Sequence, residues 1–343
     1  MTVTLASYDI DDPKDMTALK TALDRHEVSH VRRVAIFSKL NGEYDDGARE
    51  NAKVSVDAII AAKGLVNRTE TITIIGCEGA STPFGYAFID VDDKAIAAGS
   101  DKRLAFGLGH ADPGTEAELD TPAFGARVKA CVLGAMRDAG LGPDDVATVI
   151  VNGPPATSGD AVLRSRRMRA VAALGAGAAI ADISDSSIVQ ADILTDAKLY
   201  TKRVQTFVGP QIKRIEVIVI GNRAGAGGDL VACSVVTSDL FDVRPVKAML
   251  RTAGLHLDHD GELIDGDRVV VAILKAGVGP GGQVNGAPTA IFNSRTPPEK
   301  HVRAAASGVY GALLKNTRIF STMDPVQQAP LGGSQLCCVI RAG

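Results

Sequence analysis

The sequence predicts an α/β fold of three tandem α+β units, related by pseudo-threefold symmetry around a central site. The first observation is a repeated order of helix, strand, loop, helix, strand and loop along the 343 residues. The second is spacing, because the interval from Leu23 to Lys39 equals that from Met136 to Asn152. Each repeat covers about a third of the chain, which is a whole domain and too long for a solenoid unit.

Each unit opens with an apolar-periodic helix, followed by a strand that ends on one polar residue. These residues are Lys39, Asn152 and Lys275, and the symmetry predicts that they surround a common axis. The longer interval from Leu250 to Lys275 is explained by an insert around His256–Ile264. The helices cover 19–23, 132–136 and 246–250, and the strands cover 34–37, 148–151 and 269–273.

A second helix and strand complete each unit, and a glycine-rich segment and a further strand follow. The predicted helices are 54–63, 169–181 and 301–314, and the strands are 71–75, 216–220 and 317–320. The glycine-rich segments are 76–81, 221–228 and 331–334, followed by strands at 87–91, 230–236 and 336–340. The predicted units are 1–104, 105–243 and 244–343, with linkers near 107–114 and 239–245.

Composition predicts a globular protein that acts on a small molecule. The chain is 45% apolar and 22% charged, with a net charge of −3. Without a Lys/Arg block, without Trp and with 4% aromatic residues, it has no signature of nucleic-acid binding. The longest apolar run, Ala170–Ile183, is too short to cross a membrane. An odd cysteine count without a secretory signal predicts a cytoplasmic location.

Lys39 and Ser81 are the first candidates for catalysis, since each follows a strand of the first unit. A lysine beside a serine hydroxyl can act as its general base. Backbone N–H groups of a glycine-rich turn, here around Gly79, can form an oxyanion hole. The alternative is a surface lysine and an ordinary turn serine.

Three arginines add a second layer of candidates. Arg49, Arg169 and Arg303 are predicted at or just before the starts of the second helices, where a cation opposes the helix dipole. Guanidinium groups recognise oxygen-rich ligands well, so these arginines indicate a ligand with several carbonyl groups. The alternative is a set of interdomain salt bridges.

Metal and phosphate sites have weaker support. No CxxC pair is present, so we expect no catalytic metal. Gly221–Gly225 lacks the Gly-Lys-Ser/Thr of a phosphate loop. The segment His256–His259 is interpreted as a solvated insert rather than a metal site.

These motifs together resemble the cyanuric acid hydrolase/barbiturase family of ring-opening cyclic amidohydrolases, over nearly the whole chain. Ser38-Lys39-Leu40-Asn41-Gly42 followed by Arg49 resembles its first lysine–arginine motif. Gly76-Cys77-Glu78-Gly79-Ala80-Ser81-Thr82-Pro83 resembles its Gly-Thr-Glu-Gly-x-x-Ser-Pro loop. Further matching segments are 168–175, 220–230, 274–276, 285–286, 301–303 and 328–333.

The resemblance implies three domains, each giving a lysine, a serine and an arginine to a site on the threefold axis. A serine activated by its lysine would attack a carbonyl of a planar cyclic amide. The family resemblance also implies a homotetramer and no required cofactor. It implies a structural divalent cation near Gln328–Gly333, although Gly277 stands where the family often has a metal-binding acid.

The chain departs from the family pattern in the second unit. Asn152 stands where the family has a lysine, and Gly228 stands where a serine is expected before Asp-Leu. Arg223, beside that loop, and Phe84, where the family tends to have histidine, indicate a reshaped pocket. The unit-two pair is a strong candidate for the family's nucleophile and base, so an altered substrate is expected.

We therefore predict a divergent Ser/Lys hydrolase of a small cyclic amide or imide, with Ser81 as nucleophile and Lys39 as base. Lys275 and Ser334 would form a second polar pair. One alternative is an isomerase or water-activating hydrolase that uses Lys39 or Lys275 on a keto or enol substrate. Another is a non-catalytic small-molecule binder. The other predicted ligand-binding residues are Arg49, Arg169, Arg303, Asn152, Gly79 and Gly228.

Overall fold

The computed structural model describes residues 2–41, 47–75, 82–92, 101–209, 211–278, 283–284, 287–288, 298–323 and 327–343. The first unit contains β1 (Thr2–Asp9), α1 (Thr17–Asp24), β2 (Val31–Leu40), α2 (Ala48–Ala62), β3 (Thr69–Ile75) and β4 (Phe84–Val91). Its four strands form one sheet in the order β1-β4-β2-β3. The β2–β3 pair is parallel, and β4 is antiparallel to both β1 and β2.

The second unit repeats this arrangement. It contains β5 (Lys102–Ala111), α3 (Pro122–Ala139), β6 (Val146–Gly153), α4 (Ala161–Ala179), β7 (Val204–Val208) and β8 (Ile215–Ala224). Its sheet has the order β5-β8-β6-β7, with a parallel β6–β7 pair. First and second units therefore share element order and strand order.

The third unit has the same topology with one addition. It contains β9 (Leu230–Thr237), α5 (Arg244–Thr252), β10 (Val269–Ala276), α6 (Pro298–Leu314), β13 (Phe320–Met323) and β14 (Ser334–Arg341). The addition is a short hairpin of β11 (Gln283–Val284) and β12 (Ala287–Pro288). Its main sheet has the order β9-β14-β10-β13. The predicted α/β fold of three tandem units is confirmed.

The three sheets share a central apolar core, and each also packs against its own helices. Alternate residues of a strand point to opposite faces, so one face of each sheet lines the shared core. Edge-to-face aromatic contacts join the units there: Phe37 to Phe320 at 5.4 Å, Phe88 to Phe106 at 6.1 Å and Phe207 to Phe320 at 6.1 Å. The opposite faces form separate cores under the helices. The units thus surround a common interior.

Strand equivalence in the second unit differs from the prediction. The segment 216–220 was matched to 71–75, but it belongs to β8, whose counterpart in unit one is β4. The parallel edge strand of unit two is β7, and 230–236 belongs to β9, which pairs with β14 of unit three. Apolar periodicity marks a buried strand without telling which neighbour it will pair with.

The unit boundaries at 104/105 and 243/244 stay a prediction. Sheet hydrogen bonding groups β5, from Lys102, with unit two and β9 with unit three. The predicted linker 107–114 begins inside β5. The connection from α5 to β10 spans 253–268, against 25–30 and 140–145 in the other units, in agreement with the insert around His256–Ile264. Among the helices of the described ranges, none is both long and apolar enough to cross a bilayer.

Candidate active site

Three strand-end residues face the shared interior at one end of the three sheets. Lys39, Asn152 and Lys275 lie near the carboxyl ends of β2, β6 and β10. Each stands two positions after a residue of the central core, so its side chain points to the same interior face. Those core residues are Phe37, Ile150 and Ile273. The predicted equivalence of the three positions agrees with this geometry.

Each strand-end residue has a partner across the sheet. Lys39 is opposite Phe84 and Asn152 is opposite Glu216, while Lys275 is opposite Gln335. Residues directly opposite in an antiparallel pair lie on the same face, so all three partners also face the interior. We call these three cross-strand pairs the inner mouth.

The lysines of the inner mouth are fully enclosed, with exposures of 0% for Lys39 and 1% for Lys275. A buried ammonium needs hydrogen-bond acceptors or other favourable contacts. The Lys275 ammonium donates to the Thr206 carbonyl oxygen at 2.8 Å and lies 4.6 Å from the centre of the Phe207 ring. Both contacts stabilise a positive charge. A residue of unit three is therefore held by β7 of unit two.

The second unit replaces the lysine with an amide that contacts acids. Asn152 Nδ2 donates to Glu216 Oε2 at 3.2 Å. Arg214 connects this carboxyl to a second one, since its Nε lies 3.5 Å from Glu216 Oε1 and its Nη2 lies 3.2 and 3.1 Å from the Glu70 oxygens. His110 Nδ1 lies 3.4 Å from Glu70 Oε1. Two glutamates thus share one arginine between units one and two.

Burial governs the acidity of both carboxyl groups. The pKa of Glu70 is raised to about 8: loss of hydration is the largest cause, the nearby Glu216 charge adds to it, and Arg214 opposes both. Burial likewise raises the pKa of Glu216, against the lowering effects of Arg214 and of the Asn152 hydrogen bond. Sequence reasoning missed these acids. For Glu216 the signal was a glutamate beside the apolar run Val217–Ile220.

The arginines are placed differently from the prediction. Arg49 lies in the first turn of α2 and is 8% exposed. Arg169 lies in the middle of α4, and Arg303 lies in the second turn of α6. Both of these helices begin earlier than predicted, and α4 starts after Asp160, whose side chain caps it. The helix-dipole argument therefore applies to Arg49 alone.

Ser334 lies away from the inner mouth. It is the first residue of β14, and its neighbour Gln335 is the one that faces Lys275. Consecutive strand residues point to opposite faces, so Ser334 faces the helix layer. Its hydroxyl is 2.7 Å from Thr237 Oγ1 and 2.5 Å from the Tyr310 hydroxyl. The predicted Lys275–Ser334 pair is not formed.

Gly228 lies at the opposite end of the sheets. It follows β8, and its neighbour Gly227 forms a bridge to Thr2, at the start of β1. Its φ of +95° favours glycine there for a backbone reason. In unit two the loop equivalent to the one carrying Ser81 is 209–214, between β7 and β8. Ser81 and Gly79 themselves lie outside the described residues.

The segment predicted to hold a cation is engaged with unit two. Gln328 Oε1 accepts from the Thr206 N–H at 2.7 Å, and Gln327 Oε1 accepts from the Leu194 N–H at 3.2 Å. No carboxylate stands among the described residues 327–333, and a hard divalent cation prefers carboxylate ligands. The described part of this segment does not fit a cation site, and the cation stays a prediction.

Comparison with known proteins shows which family the chain belongs to. A family model described as amidohydrolase ring-opening protein matches residues 4–341. The chain belongs to this family. The resemblance stated from the sequence is thus confirmed, as is the prediction that the chain is an enzyme of the cyclic-amide hydrolase class.

The chain is similar to characterised relatives over almost its full length. A cyclic amide hydrolase of Azorhizobium caulinodans is 26% identical, covering 96% of this chain and 97% of the relative. A cyanuric acid amidohydrolase of Pseudonocardia dioxanivorans is 28% identical, with 96% and 95% covered. A solved structure of cyanuric acid hydrolase, described as an innovation by structural concatenation, has a TM-score of 0.87 at 24% identity, with 99% of each chain covered. This likeness supports the tandem fold.

Proposed function

We propose that this chain opens the ring of a small cyclic amide or imide at the inner mouth, with Ser81 as nucleophile and Lys39 as general base. The observation that supports it most is the fully buried Lys39 at the end of β2. The names of the relatives, cyclic amide hydrolase and cyanuric acid amidohydrolase, supply the substrate class.

Strand topology supports the pairing of Lys39 with Ser81. β3 is the parallel neighbour of β2, and Ile74 is the register partner of Lys39. The described end of β3, after which the segment with Ser81 follows in the chain, therefore lies beside Lys39. Because Ser81 belongs to that segment, a short connection can bring its hydroxyl to the lysine.

The two lysines have different proposed roles. Lys275 already donates to the Thr206 carbonyl and faces the Phe207 ring, contacts that stabilise its charged form. A charged ammonium can hold a carbonyl oxygen but cannot accept a proton. We therefore assign substrate binding to Lys275. We assign proton transfer to Lys39 because it lies beside the end of β3, the strand that precedes Ser81 in the chain.

The proposed reaction has two stages. The Lys39 amine takes the hydroxyl proton of Ser81 while the serine oxygen bonds to a ring carbonyl carbon. The resulting oxyanion collapses, the ring C–N bond breaks, and the nitrogen receives the proton from Lys39. Water then hydrolyses the serine ester. Arg49, Arg169 and Arg303 would bind the remaining carbonyl oxygens.

A panel of cyclic amides and imides tests this proposal, with cyanuric acid, barbiturate, maleimide, succinimide and hydantoin as substrates. We expect Ser81→Ala to lower kcat by about a thousandfold or more. Lys39→Met, which keeps the side-chain volume, should lower kcat by about a hundredfold or more. Ser334→Ala is the matched serine variant, and it should retain turnover because its hydroxyl faces the helix layer.

Two outcomes would contradict the proposal. Turnover retained in Ser81→Ala would favour lysine acid–base chemistry on a keto or enol substrate. Ring binding without turnover by the unsubstituted chain would favour a non-catalytic binder. The homotetramer and the cytoplasmic location also stay proposals, and analytical ultracentrifugation measures the first.

A further inference from the structure

The three units present different chemical groups at the inner mouth. Units one and three present Lys39 and Lys275, whose ammonium groups donate hydrogen bonds and accept none. Unit two presents Asn152 with Glu216 directly opposite. Neither the partner of Lys39, which is Phe84, nor that of Lys275, which is Gln335, is an acid. Only this corner of the inner mouth therefore combines an amide with a carboxyl group.

Hydrogen bonding decides what the Asn152 amide can offer a ligand. Its Nδ2 donates to Glu216 Oε2 at 3.2 Å, which directs its NH2 group toward the carboxyl. An amide that donates in this way leaves its carbonyl oxygen as an acceptor. Within the described ranges, no donor is hydrogen-bonded to that oxygen.

The carboxyl group adds acceptors at the same corner. Glu216 is 9% exposed, and an ionised carboxylate accepts hydrogen bonds and donates none. Arg214 Nε lies 3.5 Å from its Oε1, and Glu70 lies on the far side of that arginine. Arg214 is thus occupied by two carboxyl groups and gives the corner no cation like that of the lysines.

We propose that the Asn152–Glu216 corner binds a ring edge that donates hydrogen bonds, such as an amino substituent. The preferred substrate would be a six-membered cyclic amide with carbonyl oxygens on two edges and an amino group on the third. This inference rests on the proposed function, because it names the substrate class of the same inner mouth.

A ring with three carbonyl edges fits this corner poorly. If two of its oxygens lie on Lys39 and Lys275, its third oxygen points to the Asn152 carbonyl oxygen and the Glu216 carboxylate. The ring N–H groups then lie on either side of that oxygen, so acceptors face acceptors at the corner itself. Buried polar groups left unpaired in this way give strong discrimination between similar ligands. If Asn152 instead turned its NH2 group to the ring, its oxygen would face the carboxylate.

Binding to the Ser81→Ala protein tests the inference without interference from turnover. Isothermal titration calorimetry compares two triazine rings at about pH 8 and again at about pH 9, because burial raises the pKa of Glu216 and the inference concerns its carboxylate form. One ring carries three oxo groups and the other carries two oxo groups and one amino group. We expect the amino ring to bind about tenfold more tightly or better.

Variants at the corner should change this preference for the amino ring, whereas a control variant elsewhere should leave it unchanged. In the Ser81→Ala background, Asn152→Lys replaces the acceptor with a donor and should reverse the preference. Glu216→Gln should reduce it about tenfold or more. Glu262→Gln, an exposed side chain of the unit-three insert, is the matched control and should leave the preference unchanged.

Equal binding of the two rings, tighter binding of the three-oxo ring, or no binding of either would overturn the inference. An unchanged preference in Asn152→Lys would also overturn it. This variant keeps the test possible if Glu216→Gln fails to fold. Turnover by the chain with Ser81 intact reports on the proposed function, whereas relative binding reports on this inference. Preferential binding of the amino ring without turnover would contradict the proposed function and support the inference about the Asn152–Glu216 corner.

Discussion

Glu70 offers a direct test of the buried acid pair between units one and two. The residue lies in β3 and is 3% exposed. Burial, followed by the nearby Glu216 charge, raises the pKa of Glu70 from 4.5 to about 8, although Arg214 opposes the change. Glu70→Gln removes the titration while keeping the side-chain shape and one acceptor oxygen for Arg214.

The direction of the pH dependence of stability follows from proton binding in the folded and unfolded states. Between about pH 4.5 and pH 8 the folded protein keeps the Glu70 proton and the unfolded chain releases it. The contribution of Glu70 to stability is therefore fully present below the unfolded pKa and is lost as pH rises through the folded pKa. A shift from 4.5 to about 8 corresponds to about 5 kcal/mol at most, at 1.36 kcal/mol for each pKa unit.

Urea unfolding of the wild type and Glu70→Gln at about pH 5, 6, 7 and 8 measures this contribution. We expect the wild-type free energy of unfolding, minus that of the variant, to fall by several kcal/mol across the series, and by at most about 4 kcal/mol because the series spans three pH units. Subtraction removes the titration of the groups that do not interact with Glu70. Glu262→Gln is the exposed control. A difference that stays constant within about 1 kcal/mol would refute the reasoning.

Two further predictions concern packing. Gly175→Ala would place its Cβ 2.1 Å from the Gly125 carbonyl oxygen, so we expect a loss of about 1–3 kcal/mol or more in the free energy of unfolding. In Gly134→Ala, in α3, the nearest neighbour of the new Cβ would be Arg137 Nη2 at 3.9 Å, an ordinary contact. This variant should instead stabilise by about 0.5–1 kcal/mol, and equal effects of the two variants would contradict the close-approach argument. Tyr310→Phe removes the hydroxyl beside Ser334 and should cost about 1 kcal/mol in urea unfolding with turnover retained. Lost turnover would indicate that the Ser334 side chain acts in the inner mouth.

Repeat spacing predicted the equivalence of Lys39, Asn152 and Lys275 correctly. In units one and two the connections from helix to strand, 25–30 and 140–145, have the same length, which is a local feature of the chain. The sequence also showed that unit two has Asn152 where units one and three have a lysine, because this comparison needs only one equivalent position in each unit. Local order therefore determined which residues end the central strands.

Strand pairing was beyond the reach of the sequence. Gly228 was matched to a loop that lies at the other end of the sheet, because β8 and β9 are similar apolar segments joined by glycines. Ser334 was paired with Lys275, whereas the register assigns Gln335 to that position. A shift of one residue moves a side chain to the opposite face, and periodicity alone does not set that register.

The sequence by itself determined the threefold α/β organisation, the family and the strand-end residues Lys39, Asn152 and Lys275. These depend on residue order and on apolar periodicity within one unit. Only the tertiary structure decided that Glu216 faces Asn152 and that Glu70 shares Arg214 with it. The first contact joins two strands of unit two, and the Arg214–Glu70 contact joins units two and one, so all depend on strand pairing and packing. Burial, rather than local sequence, changes the chemistry of the two carboxyl groups.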